Sequence, residues 1–267
     1  MVQPEVLLLT GYGINCGEET AYAFQACGAK TEIIHVNDLI ATPKKLNDYQ
    51  IFVVPGGFSY GDDTGSGNAL ANKMRHTLWS ELMEFVAADR LVLGICNGFQ
   101  VLVNLGLLPG GAENVFGERR AALIANRTAR YECRWVNLAA ASSEAVFLRG
   151  VKSLYLPVAH GEGRFFATPE TLAELKASRQ IALRYVNSEN QPAAGVFPAN
   201  PNGSLDDIAA LCAAEGRILG LMPHPERAFR MNHLPSWPEY SALNPDADWQ
   251  AEGPGKIIFA NAVDYFS

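Results

Sequence analysis

Cys96 stands at the centre of a turn whose neighbouring residues indicate a nucleophile. In the segment Gly-Ile-Cys96-Asn-Gly, the cysteine comes directly after the apolar stretch 90–95, and a helical pattern follows it. The glycines two residues before and two residues after Cys96 have no side chains that would collide in a tight strand-to-helix turn. Such a turn holds its central residue in a strained backbone conformation. The positive end of the following helix favours the thiolate, the reactive form of cysteine. We therefore interpret Cys96 as a nucleophile rather than a structural thiol, with the N–H of Asn97 as an oxyanion donor.

A histidine that could serve Cys96 follows another apolar stretch. His224 lies in the segment Pro-His-Pro-Glu, directly after residues 218–222, which have the pattern of a strand. In a parallel sheet this strand would bring the imidazole to the edge where Cys96 emerges. Flanking prolines stiffen the backbone, and Glu226 can accept a hydrogen bond from the second ring nitrogen. We interpret the three side chains as a Cys–His–Glu triad.

A second histidine is a rival for the same role. His160, in the segment Ala-His-Gly-Glu-Gly-Arg, also follows an apolar stretch, and Glu162 could orient its ring as Glu226 would orient His224. Residue patterns alone do not separate the two candidate bases.

Two other glycine-rich turns offer weaker signals. Residues 11–17 lie where a dinucleotide-binding loop would, but the third glycine comes one residue late and His35 stands where an acid should hold a ribose. A second turn matches G-x-S-x-G around Ser59, but a Pro-Gly-Gly step separates it from the preceding strand, so the serine should lie in a loop. Gly56 and Gly57 could instead offer backbone N–H groups to an oxyanion.

Composition excludes several classes of protein. Of 267 residues, 48% are hydrophobic and 18% charged, which is typical of a globular chain, and the net charge of −7 disfavours a general nucleic-acid role. No apolar run approaches the roughly 18 residues needed to span a bilayer, and the N-terminal stretch does not resemble a secretory signal. Five cysteines without CxxC spacing favour free thiols, so we expect a cytoplasmic protein. We expect no metal site, because no His, Cys or acidic pair has the close spacing of a zinc site.

The hydrophobic pattern predicts an α/β fold, with a mostly parallel central sheet covered by helices on both faces. Residues 1–267 are interpreted as one domain, with extra β structure in the second half, and residues 235–254 are expected to be irregular. The pattern predicts strands at 5–10, 30–36, 50–54, 90–95, 131–139, 153–158, 181–186, 208–213 and 218–222, and helices at 18–27, 68–87, 98–105 and 256–266.

Taken together, these residues resemble the class I, or triad, glutamine amidotransferases. The sequences of several segments are similar to those of one branch of that family. This branch contains the glutaminase components of a ligase of purine biosynthesis that forms an amidine. The segments are Gly-Ile-Cys96-Asn-Gly-Phe-Gln100, Pro-His224-Pro-Glu226-Arg, Pro-Gly-Gly-Phe-Ser-Tyr-Gly-Asp at 55–62, Ala-His-Gly-Glu-Gly-Arg at 159–164 and Ala-Asn-Pro-Asn-Gly-Ser at 199–204.

The resemblance implies a flavodoxin-like three-layer sandwich and a glutaminase that works through a cysteine thioester. It implies that Gly57 and Asn97 donate hydrogen bonds to the oxyanion, with Gly56 and Gln100 beside the glutamine. It removes His160 from the triad and implies that His160, Glu162 and Arg164 lie near the glutamine or at a partner surface. The resemblance implies a triad of Cys96, His224 and Glu226.

The resemblance also implies a partner. Ammonia would pass to a large synthetase subunit, with a small accessory subunit as a further component. ATP and Mg²⁺ are expected on the synthetase and no cofactor in this chain, which lacks the phosphate-binding pattern G-x-x-x-x-G-K-[ST].

Other interpretations stay open. The chain could be the glutaminase of another class I amidotransferase, or a non-catalytic regulatory subunit of the same fold. A chaperone or deglycase with a cysteine elbow is disfavoured by the Pro-His-Pro-Glu segment. Extra segments at 126–150, 198–206 and 231–254 resemble the glutaminase portion of large single-chain synthases.

Overall fold

The computed structural model describes residues 3–111, 115–142 and 144–267, so the segment 126–150 is described apart from residue 143. The described strands are β1 (Glu5–Thr10), β2 (Lys30–His35), β3 (Ile51–Val54), β4 (Leu91–Ile95), β5 (Ala121–Ile124), β6 (Glu132–Ala140), β7 (Ser153–His160), β8 (Arg164–Ala167), β9 (Ile181–Val186), β10 (Ile208–Ala213) and β11 (Ile218–Leu221). The described helices are α1 (Gly17–Ala26), α2 (Val36–Ala41), α3 (Asn68–Thr77), α4 (Trp79–Ala87), α5 (Asn97–Leu105), α6 (Pro169–Ala177), α7 (Trp237–Leu243) and α8 (Lys256–Asp264).

A nine-stranded sheet organises the described residues, in the order β2-β1-β3-β4-β11-β10-β9-β6-β7. The strands from β2 to β11 in this order are parallel, and the later strands extend the same sheet in antiparallel fashion. Helices pack around it, with α5 against α3 and α1 against α8. The predicted α/β class, with a mostly parallel sheet and extra β structure in the second half, is confirmed.

The parallel half holds the core because its strands are apolar along their whole length. All residues of β3, β4 and β11 are buried, as expected for strands covered on both faces. Crossover helices return the chain to the same end of the sheet after each parallel strand. The carboxyl ends of β3, β4 and β11 therefore lie side by side, and the segments that follow them meet at one edge.

Some sequence-based boundaries differ from the structure. The helix predicted at 68–87 is two helices, because Leu78 (φ −129°, ψ 3°) leaves the helical conformation between them. Within the stretch 235–254, expected to be irregular, residues 237–243 form the exposed helix α7. Strands β5 and β8 were not predicted; each has four residues, and they pair with each other in a separate small sheet. Among the described helices, none is long and apolar enough to cross a membrane.

Candidate active site

The turn around Cys96 has the geometry that its glycines predicted. Cys96 adopts φ 50° and ψ −103° between β4 and α5, an unusual conformation for a residue with a side chain. A Cβ at Gly98 would lie 1.8 Å from the carbonyl oxygen of Val54, and one at Gly94 would lie 2.7 Å from the carbonyl oxygen of Gly98. The bare glycine backbones therefore let α5 begin directly against β3 and β4. The thiol is 5% exposed, with Sγ 3.7 Å from the carbonyl oxygen of Ala159.

His224 reaches the same edge from the neighbouring strand. β11 pairs in parallel with β4, with Leu221 opposite Ile95. The backbone N–H of His224 then donates to the carbonyl of Pro157 at 2.8 Å, which ties the turn to β7. The ring Nδ1 lies 2.6 Å from Glu226 Oε1, and both side chains are almost completely buried.

The electrostatics of this pair favour a protonated imidazole. Burial lowers the pKa of His224, but the charge of Glu226, followed by that of Cys96 and the nearby thiol of Cys16, raises it well above 6.5. Among the described residues, His224 Nε2 and the second carboxylate oxygen of Glu226 have no hydrogen-bond partner. The arrangement suits a thiolate–imidazolium pair with the carboxylate behind it.

The expected oxyanion donors lie on the segments that follow β3 and β4, two neighbouring strands whose carboxyl ends share one edge of the sheet. Asn97 is the first residue of α5, so its backbone N–H has no acceptor within the helix. Gly57, on the loop after β3, fits only as glycine, because a Cβ there would lie 2.5 Å from the carbonyl oxygen of Gly13. Gly56 packs against the imidazole, since a Cβ there would lie 2.8 Å from His224 Cε1.

The two weaker glycine turns support this loop. The loop at 11–17 packs on it through a hydrogen bond from Phe58 N to the carbonyl of Gly13 at 2.7 Å. Ser59 is buried in a short 3₁₀ turn, and its N–H donates to Asn97 Oδ1 at 3.2 Å. As expected from the sequence, Ser59 lies in a loop and not at a strand-to-helix elbow.

His160 is held in a separate network of side-chain amides. Its Nδ1 lies 3.1 Å from Asn126 Oδ1 and its Nε2 lies 3.5 Å from Asn202 Nδ2. Burial, followed by the charge of His224, lowers the pKa of His160 to about 3, so the ring is neutral. The suggestion that Glu162 orients this ring is wrong, because Glu162 Oε2 accepts from a backbone N–H instead. This geometry favours His224 over His160 as the base.

Gln100 and Glu162 connect the elbow to the loop after β7. The amide of Gln100 donates from Nε2 to the carbonyl of Glu162 at 2.5 Å and accepts from Asn97 Nδ2 at 3.0 Å. The Glu162 carboxylate accepts from the N–H of Ser66 at 3.0 Å. Gln100, expected beside the glutamine, thus uses both ends of its amide to position this loop. Arg164 is the first residue of β8, and its partly buried side chain makes no ion pair among the described residues.

Sequence reasoning missed two side chains beside the candidate triad. Tyr131 is about half exposed, and burial together with the charge of Cys96 raises its pKa, so it lies near the thiol. Its ring is 6.3 Å from that of Phe58, which lies on the loop after β3 next to Gly57. The second is Cys16, a fully buried thiol whose Sγ accepts from Arg227 Nη2 at 3.1 Å. No local motif marks either residue.

A nucleophile elbow on a largely parallel sheet, with a histidine–carboxylate pair delivered by the adjacent strand, defines an amidotransferase type of site. The chain belongs to the CobB/CobQ-like glutamine amidotransferase domain family, whose family model matches residues 3–266.

Its relatives include proteins that match over nearly their whole length. The phosphoribosylformylglycinamidine synthase subunit PurQ of Methanococcus maripaludis is 50% identical over 269 residues, covering 100% of this chain and 98% of the relative. The subunit of the same name from Dehalococcoides mccartyi is 41% identical over 266 residues, covering 99% and 98%. The structure of PurLQS from Thermotoga maritima matches with a TM-score of 0.71 and 26% identity over 100% of both chains.

These alignments also bear on the extra segments at 126–150, 198–206 and 231–254. The Drosophila melanogaster phosphoribosylformylglycinamidine synthase is 34% identical, and the match covers only 19% of its length. The subunit-length relatives align with this chain from end to end. The extra segments therefore do not distinguish this chain from relatives that are separate subunits rather than parts of a large single-chain synthase.

Proposed function

We propose that this chain is the glutaminase subunit of a phosphoribosylformylglycinamidine synthase. It hydrolyses glutamine to glutamate and ammonia, and the ammonia passes to an ATP-dependent synthetase that forms an amidine. The observation that carries the proposal is that the parallel neighbours β4 and β11 bring Cys96 and His224 to the same edge of the sheet, with Glu226 Oε1 2.6 Å from His224 Nδ1.

The first half of the reaction forms a thioester. The Cys96 thiolate attacks the side-chain carbonyl carbon of glutamine, and the carbonyl electron pair moves to the oxygen. The N–H groups of Gly57 and Asn97 stabilise this oxyanion, and each such donor is worth about 100- to 1000-fold in rate. When the tetrahedral intermediate collapses, the imidazolium of His224 gives its proton to the leaving nitrogen, and ammonia departs.

The second half releases glutamate. His224, now neutral, takes a proton from water, which attacks the thioester carbonyl and expels the thiolate. Glu226 holds the ring in one orientation and stabilises the imidazolium each time it forms. His224 is thus the acid in one step and the base in the next.

The partners follow from the relatives. We propose that a large synthetase subunit, assisted by a small accessory subunit, binds ATP and Mg²⁺ and receives the ammonia, while this chain needs no cofactor of its own. The reaction is assigned to the cytoplasm, where the free thiols of the five cysteines would stay reduced.

A substitution of the nucleophile tests the proposal. Cys96→Ala should abolish glutamine-dependent synthesis by the complex and leave ammonia-dependent synthesis intact, because the synthetase chemistry needs only the nitrogen source. Cys27→Ala is the matched control, since this thiol is half-buried away from the site and its pKa is raised to about 11, mainly by burial. Glutamine use that survives Cys96→Ala would overturn the proposal, and so would a wild-type chain that binds the synthetase but never hydrolyses glutamine.

A further inference from the structure

Cys16 is a buried thiol that the proposed reaction does not use. It precedes α1 and is 0% exposed, while His224 and Glu226 follow β11 at the other end of the chain. Donor atoms of the three side chains lie within 4.8 Å of one another. A thiol, an imidazole and a carboxylate form the kind of donor set that zinc uses in proteins.

We propose that Cys16, His224 and Glu226 form an inhibitory zinc site that shares the histidine and the carboxylate of the candidate triad. The inhibitory part of this inference rests on the proposed function, because it requires that glutamine hydrolysis depends on His224.

The distances suit a single ion. Zinc binds sulfur at about 2.3 Å and nitrogen or oxygen at about 2.0–2.2 Å, so two tetrahedral ligands lie about 3.5 Å apart. Donors that already lie within 4.8 Å of one another need to move by only about 1 Å to meet these distances. Water would take the fourth position, as in zinc sites that have three protein ligands.

The surroundings offer a free donor atom for the ion. Gly56 separates the thiol from the imidazole: a Cβ there would lie 3.1 Å from Cys16 Sγ and 2.8 Å from His224 Cε1. The Glu226 Oε2 atom is buried and has no hydrogen-bond partner among the described residues. This unsatisfied oxygen is available as a ligand, and an unsatisfied buried carboxylate oxygen is costly without a partner.

The thiol also has an outer partner of the kind that supports a metal-bound cysteine. Arg227 Nη2 donates to Cys16 Sγ at 3.1 Å, and its Nε lies 3.8 Å from Glu226 Oε1. Asn15 Oδ1 accepts from the thiol at 3.3 Å. The bond to Asn15 is lost together with the thiol proton, whereas the Arg227 donor can orient and stabilise the thiolate, and its guanidinium offsets part of the negative charge of the donor set.

Zinc binding would stop the acid–base cycle. The ion displaces one ring proton from the imidazolium of His224 and the thiol proton of Cys16, and both protons pass to solvent. The imidazole can then neither protonate the leaving nitrogen nor activate water, although Cys96 itself remains free of metal. Because protons compete with the metal for the ligands, inhibition should weaken as the pH falls.

Cobalt(II) provides a test of binding that needs no turnover. The full-length Cys96→Ala chain should bind one Co²⁺ and show the near-ultraviolet charge-transfer band of a thiolate–cobalt bond. Adding Cys16→Ala should abolish the band and weaken binding by at least about 100-fold, since outer-shell partners alone are worth about 10- to 100-fold. Adding Cys212→Ala instead should leave the band, because that buried thiol lies on β10 and contacts the carbonyl of Arg179.

Zinc inhibition completes the test in the complex of this chain with its synthetase. Zn²⁺ should inhibit the wild-type complex at least about 100-fold more strongly than the Cys16→Ser complex, each relative to its own uninhibited rate. A band that survives Cys16→Ala in the Cys96→Ala background, or no band at all, would overturn the site. Equal zinc sensitivity of the two complexes would overturn its inhibitory role. A failure of the proposed function is distinguishable from a failure of the zinc site, because in that case the complex would not hydrolyse glutamine even when no metal is added.

Discussion

The carboxylate behind the imidazole makes a measurable contribution to the proposed chemistry. Glu226→Gln keeps the shape of the side chain and removes its charge from a position 2.6 Å from His224 Nδ1. For buried charges about 4 Å apart, an effective dielectric constant near 20 gives an interaction of about 4 kcal/mol. Each 1.36 kcal/mol is tenfold in rate, so complete loss would be about 1000-fold.

We expect Glu226→Gln to lower the rate of glutamine hydrolysis by about 100- to 1000-fold, since the amide oxygen keeps the hydrogen bond but loses the charge. The pKa of His224, raised in the wild type, should fall in this variant. Alkylation of Cys96 by iodoacetamide at neutral pH should therefore be slower, because a less basic imidazole accepts the thiol proton less readily.

The assay measures both quantities on the same preparations. Alkylation is followed by mass spectrometry of the peptide that contains Cys96, and hydrolysis by glutamate release in the presence of the synthetase. Glu132→Gln is the control, because that carboxylate is also buried but pairs with Arg134 Nη2 at 2.7 Å. If Glu226→Gln retains a rate within about threefold of the wild type and an unchanged alkylation profile, the electrostatic reasoning is refuted.

Three further predictions concern the elbow and the rival histidine. Gly98→Ala should lower the melting temperature and abolish hydrolysis, because its Cβ would lie 1.8 Å from the carbonyl oxygen of Val54. Gly17→Ala is the control and should change the melting temperature little, because its Cβ would meet only a side-chain atom at 3.9 Å. His224→Ala should slow alkylation of the nucleophile at neutral pH, and His160→Ala should not; peptide mapping after iodoacetamide treatment compares them. His160, with a pKa lowered to about 3 against 6.5 when unfolded, takes up its proton only on unfolding, so stability is lost as the pH falls below about 6.5. Urea unfolding should show that the wild type loses about 1.6 kcal/mol more stability between pH 6.5 and 5 than His160→Gln does. An equal loss in the two proteins would contradict the assignment.

Local patterns predicted the elbow because its causes are local. Glycines on both sides of Cys96 and the apolar stretch before it are adjacent in sequence, and the positive φ follows from them. That Cys96 and His224, more than a hundred residues apart, reach the same edge of the sheet was also predictable, since parallel neighbouring strands end at the same edge.

What the sequence could not predict depends on contacts between distant segments. Cys16 meets His224 only because the loop at 11–17 folds over Gly56, and no spacing in the sequence records this. The amide partners of His160 are Asn126 and Asn202, which lie on two distant loops. In the sequence, asparagines at these positions indicate only turns. Strands as short as β5 and β8 carry too few residues for a periodic signal, so tertiary pairing alone defines them.

The most direct test of the account asks which thiol carries the glutamyl group. A glutamine analogue with a diazoketone in place of the amide should be incubated with the complex of this chain and its synthetase, and the labelled peptides mapped. We expect one label, on Cys96, and none on Cys16, with labelling abolished by Cys96→Ala. A label on any other cysteine, or unchanged labelling after that substitution, would contradict the account.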